Sequence, residues 1–189
     1  ELDAAGICGY VLKARSPSCG LGSVPIDGAD RGDGLFAATL RKLCGRLPIA
    51  EETGLEEAAE REVFLARVLA YRRLRDLFDE SWSIAEFIEH HASQELLLMA
   101  QSPELHSELD RIVAEAADAN PADVEDSYRR LTMETFSQRP DAGRHSNALD
   151  HMRSYLREKI SAEEYDELES EIGEYRAGEL GLGEVLDSF

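Results

Sequence analysis

The sequence has no long hydrophobic run. Even the apolar stretch at 96–100 has only five residues, whereas a helix that spans a bilayer needs about 20. Hydrophobic residues nevertheless make up 43% of the 189 residues, which is typical of a folded core rather than a disordered chain. We therefore expect a soluble protein of one domain or two small ones, without a membrane partner.

The motifs that most often identify an enzyme are also absent. The chain has no G-x-S-x-G elbow, no P-loop, no G-x-G-x-x-G and no H-E-x-x-H. No histidine follows a glutamate by three residues, which excludes the paired Glu-x-x-His helices of a di-iron bundle. Any chemistry must therefore be sought in less familiar arrangements.

Cysteine is scarce and has no zinc-ribbon or thioredoxin spacing. The three cysteines, Cys8, Cys19 and Cys44, all lie in the first quarter of the chain, and no C-x-x-C occurs. An odd number without a secretory leader favours a reducing compartment, so we expect a cytoplasmic protein with free thiols. Because the sequence starts at Glu1 rather than methionine, we also expect a processed or partial chain.

Basic side chains are also scarce. The chain has 20 basic and 39 acidic side chains and a formal net charge of −19, and only three of the basic residues are lysine. Such a surface repels phosphate backbones, which disfavours non-specific nucleic-acid binding. An acidic, lysine-poor surface suits a halophilic source, and an acidic protein from a GC-rich genome is the alternative.

Residues 13–22 carry the most informative local pattern. Pro17 fixes one backbone angle and Gly20 relaxes another, so Cys19 is expected on a defined turn after the apolar run at 10–12. A turn that leaves a strand can hold a thiolate outward for a metal or a substrate. A cysteine packed in a tight turn explains the same pattern equally well.

The fold class that we predict is mainly α: a partial α/β N-terminal segment followed by an all-α helical bundle. Nine of the fourteen glycines lie in residues 1–54, where short apolar runs at 10–12 and 24–26, a helix at 35–43 and an extended segment at 47–49 suggest a piece of an α/β layer. We assign residues 55–80 to a connecting helix and 81–189 to the helical domain.

Helix starts in the second part are marked by capping residues. Thr53 with Glu56, Ser83 with Glu86 and Ser161 with Glu164 have capping-box spacing. Ser102 and Asn120 each precede a proline suited to a first helical turn. The remaining helices are predicted near 103–119, 121–137, 144–159 and 162–177, which indicates a bundle with short connections.

Acidic residues and histidines offer several possible ligand pairs. Glu86 and His90, and likewise His91 and Glu95, stand four residues apart and share a helix face. Metal ligation is possible there, although surface ion pairs are the commoner explanation.

Glu51 and Glu52 follow the extended segment at 47–49. A carboxylate at a strand end suits an α/β site, whereas two acidic residues before a helix simply favour its dipole. We favour the second interpretation.

Two stretches resemble known families. The run from Gly9 to Gly20 that contains Ser-Pro-Ser-Cys-Gly, with Leu-Pro-Ile and Glu-Glu at 47–52, resembles the second half of a small α/β family that includes the iron–sulfur-dependent thiouracil desulfidases. The remainder, with Leu-Leu-Met-Ala at 97–100 and Ser-Pro-Glu at 102–104, resembles the helical YbgA-type domain of unknown function.

The desulfidase resemblance implies a cofactor. Members hold a four-iron four-sulfur cluster by three cysteines, and the open iron accepts a thiocarbonyl sulfur before water replaces it at carbon. Cys19 matches the last of these ligands, whereas Cys8 and Cys44 do not occupy the other two positions. We therefore expect that this chain alone does not assemble the cluster.

The same resemblance suggests roles around the turn. Ser16 and Ser18 would shape it and, with Lys13, are the candidate substrate-binding residues; Lys13 or Arg15 would orient a substrate oxygen. The leading hypothesis is therefore cluster-dependent removal of sulfur from a small thiolated base by the full-length protein.

The competing hypothesis is a non-catalytic binding or interaction module in the helical part. A ligand or partner groove would then be lined by polar residues of the bundle. These are His91, His145, Asn147, His151 and Tyr155. The sequence leaves the oligomeric state open.

Overall fold

A computed structural model describes residues 6–27, 30–78 and 81–189, and it divides the chain into two units, Glu1–Trp82 and Ser83–Phe189. The fold is mainly α with a small N-terminal sheet segment, as predicted. Within the described ranges, none of the helices is long and apolar enough to cross a membrane.

The described residues of the first unit contain two small pairs of strands. Strand β1 (Tyr10–Leu12) pairs in parallel with β4 (Ile49–Glu51), and β2 (Val24–Asp27) pairs antiparallel with β3 (Asp30–Gly32). Strand β3 was not expected from the sequence, because its three residues carry no apolar pattern.

Two α-helices follow in the part of this unit that the structure describes. Helix α1 (Leu35–Leu43) has the bounds that the sequence predicts. Helix α2 (Ala58–Phe78) corresponds to the predicted connecting segment 55–80, and it belongs to the first unit. Residues 79 and 80, where that segment ends, lie outside the described residues.

One predicted helix cap is wrong. Thr53 has helical backbone angles (φ −68°, ψ −31°), and its side chain makes no capping hydrogen bond. An N-cap residue needs an extended backbone to turn its oxygen towards the next amides. Thr53 therefore precedes a single 3-10 turn (Gly54–Glu56), and α2 begins only at Ala58.

The second unit consists of six helices in its described residues. They are α3 (Ile84–Gln101), α4 (Pro103–Glu115), α5 (Pro121–Thr135), α6 (Ala142–Ser154), α7 (Ala162–Ala177) and α8 (Leu182–Asp187). Helix α3 packs against α4 and α6, α4 against α5, and α6 against α7. The core includes Phe87, Leu98, Leu109 and Tyr128, which are all fully buried.

Local capping chemistry fixes most of these helix starts. Ser83 and Ser161 form complete capping boxes with Glu86 and Glu164, as predicted. Ser102 ends α3 and also accepts a hydrogen bond from Leu105 N–H as the N-cap of α4. The two helices are therefore joined by one residue, which makes them direct neighbours.

Several helix ends differ from the prediction. Helices α4, α5 and α6 end at Glu115, Thr135 and Ser154, four, two and five residues before the predicted ends. Helix α7 has the predicted bounds and ends before Gly178, whose φ of +79° favours glycine. Helix α8 was not predicted, since its six residues are too few for a clear hydrophobic period.

Candidate functional site

The turn that carries Cys19 is organised by Ser16. The Ser16 hydroxyl oxygen accepts hydrogen bonds from the backbone N–H groups of Ser18 and Cys19, each at 3.3 Å. The Ser16 carbonyl oxygen accepts a third from Gly20 N–H at 2.9 Å. Cys19 itself is half-buried. The predicted shaping role of Ser16 therefore has a geometric basis, whereas Ser18 is exposed and contributes backbone groups.

Glu51 and Glu52 hold this loop in place. Glu51 Oε1 accepts hydrogen bonds from Leu21 N–H and the Ser23 hydroxyl, both at 2.6 Å. Glu52 Oε2 accepts one from Ala14 N–H at 2.7 Å. The two carboxylates thus bind backbone and hydroxyl donors of the loop that follows β1, a structural role that neither sequence interpretation anticipated.

The start of α1 closes the other side of the turn. Phe36 N–H and Ala37 N–H donate to the Ser18 carbonyl oxygen at 2.9 and 3.1 Å, and Leu35 N–H donates to the Pro17 carbonyl oxygen at 3.2 Å. A Cβ atom at Gly34 would overlap the Ser18 carbonyl carbon. These first-turn amides of α1 are therefore occupied by the turn, which leaves them unavailable for an anion.

The two basic candidates beside the turn are exposed. Arg15 has a φ of +56°, a left-handed conformation that costs a non-glycine residue about 1–2 kcal/mol. Its backbone N–H donates to the Ser23 hydroxyl at 3.0 Å, which helps to maintain that conformation. A substrate-orienting role for Lys13 or Arg15 stays a prediction.

The three cysteines do not form a common ligand set in the described part of the chain. All three are free thiols; Cys8 Sγ lies 3.4 Å from the Gly6 carbonyl oxygen, and Cys44 caps the end of α1. The one group of three candidate metal ligands among the described residues contains no cysteine. These residues therefore do not fit a four-iron cluster held by this chain's own thiols.

That group lies between α3 and α4 and is built around His91. The imidazole is buried, with Nδ1 3.0 Å from the Tyr128 hydroxyl oxygen and Nε2 2.8 Å from Asp110 Oδ1. The sequence spacing paired His91 with Glu95, but the nearest carboxylate comes from the neighbouring helix. Helix α3 thus turns His91 into the bundle, towards α4 and α5.

His106 is the second buried imidazole of this group. Its ring stacks on that of His91, with centroids 5.8 Å apart and an interplanar angle of 10°. Its Nε2 is buried, lies 3.5 Å from Asp110 Oδ1 and has no hydrogen-bond partner among the described residues. Burial lowers the pKa of His106, and the Asp110 carboxylate opposes that shift. We refer to His91, His106 and Asp110 as the His–His–Asp cluster.

Tyr128 supports the cluster from α5. Its side chain is fully buried and meets the ring of Phe87 edge-on at 4.7 Å between centroids. Burial raises the pKa of Tyr128 well above its usual value, so the phenol stays protonated at neutral pH. A neutral hydroxyl is therefore fixed against His91 Nδ1.

A second polar group lies between α3 and the end of α6. His151 Nε2 is 2.8 Å from the Tyr155 hydroxyl oxygen and 3.6 Å from Glu95 Oε1. The Tyr155 hydroxyl donates a long hydrogen bond of 3.5 Å to Glu95 Oε2. Burial and then the Glu95 carboxylate raise the pKa of Tyr155.

The other two predicted residues of the helical site take separate positions. His145 Nδ1 lies 2.6 Å from the Tyr175 hydroxyl oxygen on α7. Asn147 is exposed on α6. The five predicted residues thus divide between the buried cluster (His91), the Glu95 group (His151 and Tyr155), the α6–α7 contact (His145) and the surface (Asn147).

An open groove runs along α3, α6 and α8. Its volume is about 660 Å³. Most of its lining is apolar, while Ser93, Glu95, Gln101, His145 and Tyr155 add polar groups. The apolar residues are Ala92, Leu96, Leu97, Ala100, Ala148, Leu149, Met152, Leu182 and Leu186. We call this the α3–α6 groove; it includes two of the predicted site residues, His145 and Tyr155.

Comparison with known proteins assigns the helical half of the chain to a family. The family model described as "Protein of unknown function (DUF1722)" matches residues 95–189, which is half of the chain. The chain belongs to this family. The uncharacterized protein YbgA of Escherichia coli (strain K12) is 27% identical over 119 residues, which cover 62% of this chain and 70% of that protein. No solved structure matches the chain.

The YbgA-like resemblance is thereby confirmed. The region matched by the DUF1722 family contains His106, Asp110 and Tyr128 and most of the α3–α6 groove, and it begins four residues after His91. The desulfidase resemblance of residues 1–54 stays a prediction.

Sequence reasoning missed two residues of the cluster, His106 and Asp110. They stand four residues apart within the helix that was predicted from 103, the spacing that places two side chains on one face. That spacing was the available signal. What the sequence did not reveal is that His91 faces the same point from α3.

Proposed function

We propose that the helical unit Ser83–Phe189 is a ligand-binding module that holds a small, uncharged molecule in the α3–α6 groove. The groove itself carries this proposal. Its volume of about 660 Å³ lies within the range of ligand pockets, roughly 300–1,000 Å³. A mainly apolar lining with a few polar groups is also typical of such sites.

The polar groups of the groove indicate what the ligand offers. The Glu95 carboxylate accepts hydrogen bonds, and the Tyr155 hydroxyl beside it both donates and accepts. The net charge of −19 disfavours an anionic ligand. An uncharged ring compound with a ring N–H donor suits this combination, and a thiolated nucleobase is one member of that class.

A charged residue at the mouth of the groove tests the module. Leu97 lines the groove and is 44% exposed. We therefore expect Leu97→Glu to keep the fold and to place a carboxylate against the ligand. We expect binding of the neutral dye N-phenyl-1-naphthylamine, followed by fluorescence, to weaken at least about tenfold, since an apolar ligand would have to desolvate that charge. A thiolated pyrimidine should displace the dye from the unmodified protein.

Ile88 provides the matched control. It lies on the same helix, is 48% exposed and does not line the groove. The Ile88→Glu variant should bind the dye like the unmodified chain. Equal weakening in both variants, or no saturable binding by the unmodified chain, would contradict a ligand site in the groove.

A second candidate function rests on the Cys19 turn. Cys19 is half-exposed on a loop that Ser16, Glu51 and Glu52 hold in place. A thiolate that binds a metal is better placed on such a fixed loop than on a mobile surface segment. We propose, on this basis and on the resemblance, that Cys19 is one cluster ligand of a desulfidase acting on thiolated bases. The other two ligands would come from residues other than Cys8 and Cys44. A cytoplasmic location is part of this proposal, because a thiolate ligand requires a reducing compartment.

Anaerobic reconstitution with iron and sulfide tests this second candidate. In the protein expressed from its complete reading frame, we expect about four iron atoms per chain, lost in Cys19→Ser and retained in Cys44→Ser, because only Cys19 matches a ligand position. Iron content and visible absorption measure the outcome. A full iron complement in Cys19→Ser would exclude Cys19 as a ligand, and no bound iron in the unmodified protein would exclude the cluster.

A further inference from the structure

We propose that His91, His106 and Asp110 bind one divalent transition-metal ion between α3 and α4. None of these residues lines the α3–α6 groove, so the site is distinct from the proposed ligand site. The metal would be held by His91 Nε2, His106 Nε2 and an Asp110 carboxylate oxygen.

The positions of the three ligand atoms suit a single ion. One candidate ligand atom of each residue lies within 4.8 Å of those of the other two, and Asp110 Oδ1 lies 2.8 Å from His91 Nε2 and 3.5 Å from His106 Nε2. Zinc–nitrogen and zinc–oxygen bonds of about 2.0–2.2 Å place neighbouring ligand atoms roughly 3.3 Å apart in a tetrahedral site. The two observed distances lie on either side of that value.

An unsatisfied buried nitrogen points to a missing partner. His106 is 7% exposed, and its buried Nε2 has no hydrogen-bond partner among the described residues. Nearly all buried polar atoms in folded proteins are paired, because an unpaired one loses its hydration without compensation. This atom lies 3.5 Å from Asp110 Oδ1 without a hydrogen bond, and a metal ion between the two would use its lone pair directly.

The surroundings of His91 match those of a metal ligand. Histidines that bind metals through one ring nitrogen generally make a hydrogen bond through the other, which fixes the ring and its tautomer. The Tyr128 hydroxyl occupies that position at 3.0 Å from Nδ1. Tyr128 is itself immobilised in the core, so the Nε2 atom of His91 has a fixed direction.

The donor set and its exposure indicate the kind of metal. Two imidazoles and one carboxylate favour zinc, ferrous iron or a similar ion over calcium and magnesium, which prefer oxygen ligands alone. The Asp110 side chain is 53% exposed, so solvent reaches the cluster on that side. Three protein ligands with an open side leave a position for water or a small ligand, as in catalytic rather than structural zinc sites.

Titration of the full chain with Zn²⁺ and Co²⁺ tests the site. Because thiolates also bind these ions, the titration uses the chain carrying Cys8→Ser, Cys19→Ser and Cys44→Ser. We expect one ion per chain by calorimetry, a rise in the melting temperature on adding Zn²⁺, and Co²⁺ absorption bands without thiolate charge transfer. His106→Gln and Asp110→Asn should each weaken binding at least about a hundredfold.

His145→Gln is the matched control, because it removes an imidazole from the same unit without touching the cluster. Circular dichroism identifies any variant that fails to fold. If His106→Gln fails to fold, Asp110→Asn still decides the test, because it replaces a half-exposed side chain by one of the same shape. Absence of binding in the cysteine-free chain, or unchanged affinity in Asp110→Asn, would overturn the site.

Discussion

Replacing Tyr128 by alanine is expected to lower the free energy of unfolding of the helical unit by about 3–5 kcal/mol. The ring is completely buried on α5 and packs edge-on against Phe87 of α3. Its removal leaves a cavity at the point where α3 and α5 meet, and it also deprives His91 of its hydroxyl partner. Urea denaturation followed by circular dichroism measures the change.

A phenylalanine at the same position separates packing from hydrogen bonding. Tyr128→Phe keeps the ring and removes only the hydroxyl, so we expect a loss of about 1–2 kcal/mol from the unpaired Nδ1 of His91. The control is Tyr155→Phe, because Tyr155 is 51% exposed; this change should alter stability by less than about 0.5 kcal/mol. A Tyr128→Ala variant as stable as the unmodified chain would contradict the central position of this ring.

Local signals in the sequence account for most of the helical architecture. Ser83 and Ser161 with their partner glutamates, and Ser102 and Asn120 before prolines, mark helix starts that the structure confirms. These signals succeed because capping depends on atoms within three residues of the helix start. Thr53 fails for a related reason, since the backbone after β4 already turns helically there and removes the geometry that a cap needs.

The candidate sites depend on contacts between distant segments, which spacing alone does not encode. His91 and Asp110 come together because Ser102 joins α3 directly to α4, so two faces that look unrelated in the sequence converge. Glu51 binds loop donors thirty residues earlier in the chain, at Leu21. In both cases the sequence draws attention to the residue itself, whereas tertiary packing determines which group it contacts.

Polar residues of α3 belong both to the α3–α6 groove and to the His–His–Asp cluster. Glu95 lies one turn of α3 beyond His91 and faces His151 and Tyr155 rather than the cluster. Its carboxylate raises the pKa of His106 and His151 lowers it, and both effects are smaller than those of burial and of Asp110. The α3–α6 groove and the His–His–Asp cluster have no lining residue in common, and Glu95 is a groove residue whose charge reaches the cluster.

The C-terminal helix provides the second large effect. Val185 is fully buried with Leu149 and Ile172, and this cluster attaches α8 to α6 and α7. Val185→Asp places an unpaired carboxylate in that contact, which costs several kcal/mol. A cost of this size is comparable to the free energy with which a six-residue helix packs against its neighbours. We expect α8 to detach while the rest of the unit stays folded.

Detachment of α8 should also abolish ligand binding, because Leu182 and Leu186 form one wall of the α3–α6 groove. Hydrogen exchange should show lost protection confined to α8 and its contacts, and the dye titration should show at least about a tenfold loss of affinity. Ser188→Asp adds the same charge at an exposed position of this terminus and should change neither measurement. If the dye binds Val185→Asp normally despite lost protection in α8, the groove must be reassigned to α3 and α6 alone.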